Sequence, residues 1–279
     1  MTDLELLAAY TEYERMCGCL PGTLAVRDRW LRKYQREVGF ATATREATQQ
    51  WLSRPMSNKT RSSWLSTLTV FFNWAINNGH LKFPAWREGE PENKPPTFGI
   101  VKPRLHARHP RPMPIAELQR ALANATPIMR CWLLLGALSG CRCQEIALIE
   151  RDDLDDTANP PRLHIIHGKG EKERWVPLHP DVFAALQALP MPSSGRLWDE
   201  TPASVSRTIN TYLHSIHIAS TAHTLRHYFA SATYQACRDL RLTQELMGHS
   251  SPQTTAIYAA ADQSQAAGVV FGLHIGGTQ

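Results

Sequence analysis

Apolar residues recur at helical spacing through most of this 279-residue chain. Over residues 4–16, Leu4, Leu7, Ala8 and Thr11 share one face, and over 23–38 Leu24, Val26, Trp30, Leu31 and Tyr34 mark a second helix that Gly39 ends. A shorter helical segment, Thr44 to Leu52, carries Trp51 and Leu52. The stripe Leu65, Leu68, Phe71, Phe72, Ala75 and Ile76 predicts a long fourth helix, capped by Ser57 or Asn58 and stopped by Asn77-Asn78-Gly79. Residues 1–85 therefore read as an all-helical unit of four or five short helices.

The pattern breaks over residues 86–114, which are rich in proline, glycine and charge and lack periodicity, as a linker does. Two further helices follow Pro114, and Arg142–Ile149 begins another. Residues 162–167 and 172–178 alternate like strands across Gly168-Lys169-Gly170-Glu171, a hairpin turn. Asp152, Asp153, Asp155 and Asp156 read as a solvated turn ahead of them. Helical spacing resumes at 181–189, 202–216, 224–237, 240–247 and 252–261. The expected fold is mainly α with a small antiparallel β-sheet, divided into a helical unit (1–85), a basic Pro-rich linker (86–114) and a mixed α+β domain with a C-terminal tail (115–279).

Charge narrows the partner. The formal net charge is +5, which suits a polyanion, and the cations are mostly arginine, whose planar fork pairs with phosphate at two points. In the linker Lys102, Arg104, Arg108 and Arg111 form either a solvated tether or a basic strap along a phosphate backbone. No apolar run is long enough to span a bilayer and no signal sequence precedes the first helix, so a reducing cytoplasm with free thiols is expected for the 6 cysteines. Cys17-x-Cys19 and Cys141-x-Cys143 lack zinc-knuckle spacing, and no metal or other cofactor is expected.

The candidate chemistry lies in the second domain. His223 and Arg226 share a face at the start of a helix, whose amino terminus attracts phosphate. Arg142 follows the break Ser139-Gly140, with Glu145 one turn on to hold its guanidinium. Lys169 sits at a hairpin tip from which it can reach a cleft and deliver a proton, and Lys172 and Arg174 follow on the outgoing strand. His249 comes after Gly248, a C-cap, and Tyr258 lies in the next helix. Singly, each has an ordinary explanation: a surface ion pair, a solvated turn, a half-buried phenol.

Together they are specific. SGCRCQEIALI, GKGEKERWVP, HTLRHYFAS and LMGHSSPQTTAIYA, in that order, resemble the boxes of the tyrosine recombinases, the phage integrases and the Xer- and Cre-type enzymes. The resemblance covers most of residues 115–262; residues 1–114 match the family's core-binding domain in layout only. It departs from the usual pattern in the cysteines flanking Arg142 and in Cys237, where a glycine often closes the helix.

The resemblance implies a catalytic set of Arg142, Lys169, His223, Arg226, His249 and Tyr258, with Glu145 in support. Tyr258 is the nucleophile that forms a 3′-phosphotyrosine, the arginines clamp the non-bridging oxygens, and Lys169 protonates the departing 5′-oxygen. Lys102, Arg104, Arg108, Arg111, Lys172 and Arg174 are expected to contact DNA. The implied function is a site-specific recombinase that works through a Holliday junction as a homotetramer on double-stranded core attachment sites. Integration or excision of a phage or mobile element is the main reading, with a Xer-type resolver of chromosome dimers as the alternative. A transposon resolvase, a type IB topoisomerase and an inactive DNA-binding regulator are the remaining rivals. A directionality factor would be a further partner; no membrane is expected. Because helical material starts at once, the chain reads as a compact integrase with core sites only. The apolar segment 268–275 docks either on a neighbouring protomer or back in cis.

Overall fold

The computed structural model describes residues 1–85, 92–105, 111–166, 173–249 and 255–257. The chain divides into two compact units, residues 1–107 and 108–279.

Among its described residues the first unit holds four helices: α1 (Asp3–Met16), α2 (Pro21–Glu37), α3 (Arg45–Leu52) and α4 (Asn58–Asn77). Thr2, Thr44 and Ser57 side chains accept from the third amide of α1, α3 and α4, satisfying donors that a helix start leaves unpaired. The core between them is aromatic: Phe40 and Phe71 lie 4.4 Å apart and Trp51 stacks on Trp64 at 4.5 Å. The inward face of α1 differs from the expected one. Leu6, Leu7, Tyr10 and Glu14 are buried and Leu4 is exposed. The Glu14 carboxylate accepts from the Tyr10 hydroxyl at 2.9 Å and from Arg27, and this pairing lets an acid turn inward. Part of the segment expected to be a linker folds onto this unit: Asn93 N donates to the Phe83 carbonyl at 2.8 Å, and Thr97 is buried.

In the second unit α5 (Ile115–Ala123), α6 (Pro127–Leu138) and the short α7 (Cys143–Ala147) precede a three-stranded antiparallel sheet, β1 (Leu154–Asp155), β2 (Arg162–Ile165) and β3 (Arg174–Pro177), in the order β1-β2-β3. Then come α8 (Pro180–Gln187), α9 (Pro202–Ser215), α10 (Ala222–Cys237) and α11 (Leu240–Met247), with 255–257 in a further helical turn. From Cys131 to Ala137 every residue of α6 is buried, a central apolar helix packed against α8 and α10. The sheet adds Leu154, Leu163, Ile165 and Val176 to the same core. The chain is thus mainly helical with one small sheet, as its patterning predicts.

The aspartate cluster is a solvated turn only in part: Asp152 and Asp156 are exposed, whereas the other two are engaged. Asp153 is buried and accepts the Glu150 amide at 2.9 Å, while Asp155 sits in β1 opposite Arg162 and accepts its Nε at 2.9 Å. That bond holds the Asp155 carboxyl below the usual range. No helix among the described residues is long and apolar enough to cross a membrane.

Candidate active site

The site begins where α6 stops. Gly136 faces α10, and a Cβ there would lie 3.1 Å from Leu225 Cβ, so glycine lets the two helices approach closely. Gly140 has φ 64°, and a Cβ there would collide with the Phe229 ring. Its turn aims the Gly140 carbonyl at Arg226 and sets Arg142 at the amino-terminal cap of α7. The other end of α7 is fixed by Trp198 Nε1, which donates to the Ile146 carbonyl at 2.8 Å, and by Arg196 on the Ala147 carbonyl.

Glu145 is the hub, 3% exposed. Its Oε1 accepts from Arg142 Nη1 at 2.6 Å and Arg174 Nη1 at 3.1 Å; its Oε2 accepts from the Arg142 amide at 2.8 Å and Arg174 Nη2 at 2.8 Å. Arg226 Nη1 lies 3.8 Å from the same Oε2. Arg226, 3% exposed, donates to the Gly140 and Met247 carbonyls. Elements distant in sequence meet here: the start of α7, strand β3, the first turns of α10 and the end of α11.

Charge does not balance in this cluster. Three guanidinium groups face one carboxylate, an excess of two positive charges. Burial opposes ionisation of Glu145, yet Arg174, Arg226 and Arg142 hold its carboxyl below the ordinary range. Burial and then the neighbouring Arg142 lower the Arg226 guanidinium to about 9, with Glu145 opposing, so it stays charged at neutral pH. Among the described residues the site is short of two negative charges: an anion of one charge halves the excess and an anion of two cancels it. Arg142, with its side chain 26% exposed, is the most accessible of the three guanidinium groups.

Two histidines flank the cluster. His249 follows Gly248, which closes α11 at φ 59°, and its Nδ1 lies 2.8 Å from the buried Thr255 hydroxyl. Burial, then Arg226, Arg142 and Arg174, push its pKa down to about 4. His227 is pushed to about 4 by burial and by His223 and Arg226. His223 is exposed at the start of α10, its ring 4.5 Å from that of His227. At neutral pH His227 and His249 are neutral, each with one ring N–H that can donate to an oxyanion.

Arg142, Glu145 and Arg226 meet directly, and His249 is close enough for its titration to feel the two arginines. Arg174 departs from the expectation of DNA contact. It is 8% exposed, turned inward with Val176, and engaged by Glu145 and, through Nε, by the Leu246 carbonyl at 2.9 Å. Lys102, Arg104 and Arg111 are exposed. Lys169, Lys172, Arg108 and Tyr258 lie outside the described residues. Sequence reasoning passed over His227 and the inward role of Arg174, although the period-2 parity of Arg174 with Val176 and Leu178 signals it. Among the described residues there is no cluster of three or more metal-ligating side chains.

A helical unit around a small antiparallel sheet, with arginines from separate elements gathered on one acid, defines a tyrosine recombinase catalytic domain. A model described as the phage integrase family matches residues 113–265, more than half of the chain, and the chain belongs to that family of DNA-cleaving and rejoining enzymes. It is a site-specific DNA recombinase. Similar proteins include the tyrosine recombinase XerC of Chlamydia caviae, 29% identical over 252 residues, covering 80% of this chain and 76% of the relative. The XerC of Chromobacterium violaceum is 26% identical and covers 97% and 94%. Among solved structures, a lambda integrase dimer bound to a COC′ core site aligns with TM-score 0.73 at 17% identity, covering 92% of this chain and 95% of that one. The Tn1549 transposon integrase in complex with a circular intermediate DNA also gives 0.73 at 17%, covering 98% and 100%. At this identity the two structures show a shared fold.

Proposed function

We propose that this recombinase integrates or excises a phage or mobile element, cutting each strand through a 3′-phosphotyrosyl intermediate. The gathering of Arg142, Arg174 and Arg226 on the single acid Glu145 carries the reading, because an unneutralised cationic cluster suits a phosphodiester whose charge grows during substitution. Arg142 and Arg226 bind the non-bridging oxygens. The Tyr258 phenolic oxygen attacks phosphorus, its proton passing to a base for which His223 is placed by sequence. The bond from phosphorus to the 5′-oxygen breaks, and Lys169 supplies the proton that makes a 5′-hydroxyl. His249, neutral, hydrogen-bonds the phosphate. A 5′-hydroxyl from a partner strand then attacks the same phosphorus and releases Tyr258, so the bond reseals without an external energy source.

In this scheme residues 1–85 are a core-type DNA-binding domain, residues 86–114 a basic linker and residues 115–279 the catalytic domain with its tail. Lys102, Arg104, Arg108, Arg111 and Lys172 track the backbone of double-stranded core sites. Four copies assemble on two sites, with the tail docking between protomers, and exchange proceeds through a Holliday junction. A directionality factor and a cytoplasmic setting belong to the same reading. A second reading, resolution of chromosome dimers, draws support from relatives named XerC.

The test uses a nicked duplex carrying DNA that flanks the gene, from which the small product escapes after cleavage. Wild-type protein should accumulate a denaturation-resistant adduct, while Tyr258→Phe binds the duplex and forms none. An adduct with that variant refutes the nucleophile.

A further inference from the structure

Of the two guanidinium groups at the site that lie away from solvent, Arg226 spends its terminal nitrogens on the Gly140 and Met247 carbonyls, whereas Arg174 spends its whole fork on Glu145 and still bonds a second element. It reaches Glu145 with both terminal nitrogens, at 3.1 and 2.8 Å, and its Nε donates to the Leu246 carbonyl at 2.9 Å in the last turn of α11. Two residues further on stands Gly248, then His249. A Cβ at Gly248 would lie 2.8 Å from Arg174 Nη1 and 3.1 Å from its Cδ, so this turn has closed onto the guanidinium itself. Arg142 bonds the same two Glu145 oxygens through its Nη1 and its amide, and Arg226 approaches from α10.

We infer that Arg174 is a positioning residue of strand transfer: its fork fixes Glu145, and through it Arg142 and Arg226, while its Nε fixes the α11 end that carries His249. The inference rests on the proposed phosphotyrosyl reaction and names what holds that reaction's phosphate clamp in place. Lysine cannot replace it. One ammonium cannot engage both carboxylate oxygens in a planar fork and the Leu246 carbonyl from the side. With the fork gone, Glu145 turns toward Arg142, and the two phosphate-binding guanidinium groups lose their common reference.

The effect should fall on the chemical step and on phosphate charge, which distinguishes positioning from folding. Arg174→Lys, which keeps the charge and most of the stem, is measured beside wild type on the nicked duplex, for DNA affinity and for the single-turnover rate of adduct formation. Affinity should stay within about threefold, and the rate should fall about 100-fold or more, a loss on the scale of a transition-state contact. A duplex whose scissile phosphate is a neutral methylphosphonate needs less from the clamp, and on it the deficit should shrink to less than about fivefold. A second variant covers poor folding: Gly248→Ala places its Cβ against Arg174 Nη1 and should slow adduct formation with the same relief. In the Arg174→Lys background Gly248→Ala should cost less than it does alone, because the Nη1 it meets is gone and the strain of an alanine at φ 59° remains. Adduct formation by wild type establishes the parent reaction, and its failure removes both ideas together. With wild type active, three results overturn the inference alone: an unchanged rate for Arg174→Lys, an equal deficit on both substrates, or additive losses in the double variant.

Discussion

Glu145→Gln removes one charge from the hub while keeping its shape, and the consequences can be worked out from its contacts. The carboxylate accepts four hydrogen bonds, three from guanidinium nitrogens and one from the Arg142 amide. The amide of glutamine presents an NH2 where an acceptor is required, facing donors it cannot bond, and leaves three cations without their counter-charge. Removing one partner of a buried ion pair costs about 3–5 kcal/mol. For a unit of this size each kcal/mol lowers Tm by roughly 2–4 °C, so a fall of about 6–20 °C is expected by calorimetry. A surface pair supplies the control: Glu12→Gln breaks an exposed contact with Arg15 and should change stability by about 0–1 kcal/mol. DNA should restore more stability to Glu145→Gln than to wild type, since a bound phosphate neutralises the cations the variant leaves exposed to one another. A Tm within about 2 °C of wild type, or no greater benefit from DNA, refutes the charge argument.

Stability should also decline in acid. His227 and His249 have pKa values pushed down to about 4 from an ordinary 6.5, so the stability they contribute is full above 6.5 and is lost as pH falls toward 4. Glu145, whose carboxyl is held below its ordinary 4.5, adds a loss lower still. Denaturant unfolding at pH 7, 5.5 and 4 should show this fall, and His249→Gln should flatten part of it; a flat profile contradicts the burial of both rings as neutral groups. At the end of α10, Arg238 takes φ 54°, a left-handed conformation that costs a non-glycine residue about 1–2 kcal/mol. Arg238→Gly should therefore raise stability by up to roughly 1 kcal/mol, less what its position over the Tyr234 ring contributes; a drop in Tm contradicts this.

The sequence announced the helices and the order of the catalytic boxes because both are local: periodicity marks α4 and α6, and Gly248 stops α11 where its position indicated. What it concealed was pairing across distance. Asp153 reads as part of a solvated turn until the Glu150 amide is seen to bond it, and nothing along the chain marks Glu14 as the partner of Tyr10 and Arg27. The two-residue β1 is too short for any alternation to show, and exists by pairing with β2. Arg174 was legible by parity alone, since it lies in register with the inward residues of β3, but a charged side chain suggests solvent until its acid is known. The meeting of Arg142, Arg174 and Arg226 on Glu145 depends on four elements packing together, which spacing along the chain does not encode. Glu145 itself was legible as a neighbour of Arg142, three residues on in one turn.

The most direct measurement is the identity of the atom that carries the DNA. Wild-type protein is reacted with the nicked duplex, digested with trypsin and nuclease, and sequenced by mass spectrometry. The expected product is a nucleotide joined through its 3′-phosphate to the oxygen of Tyr258, with a free 5′-hydroxyl on the released strand. A 5′-phosphate on the released strand, or a modification mapped to any other residue, contradicts it.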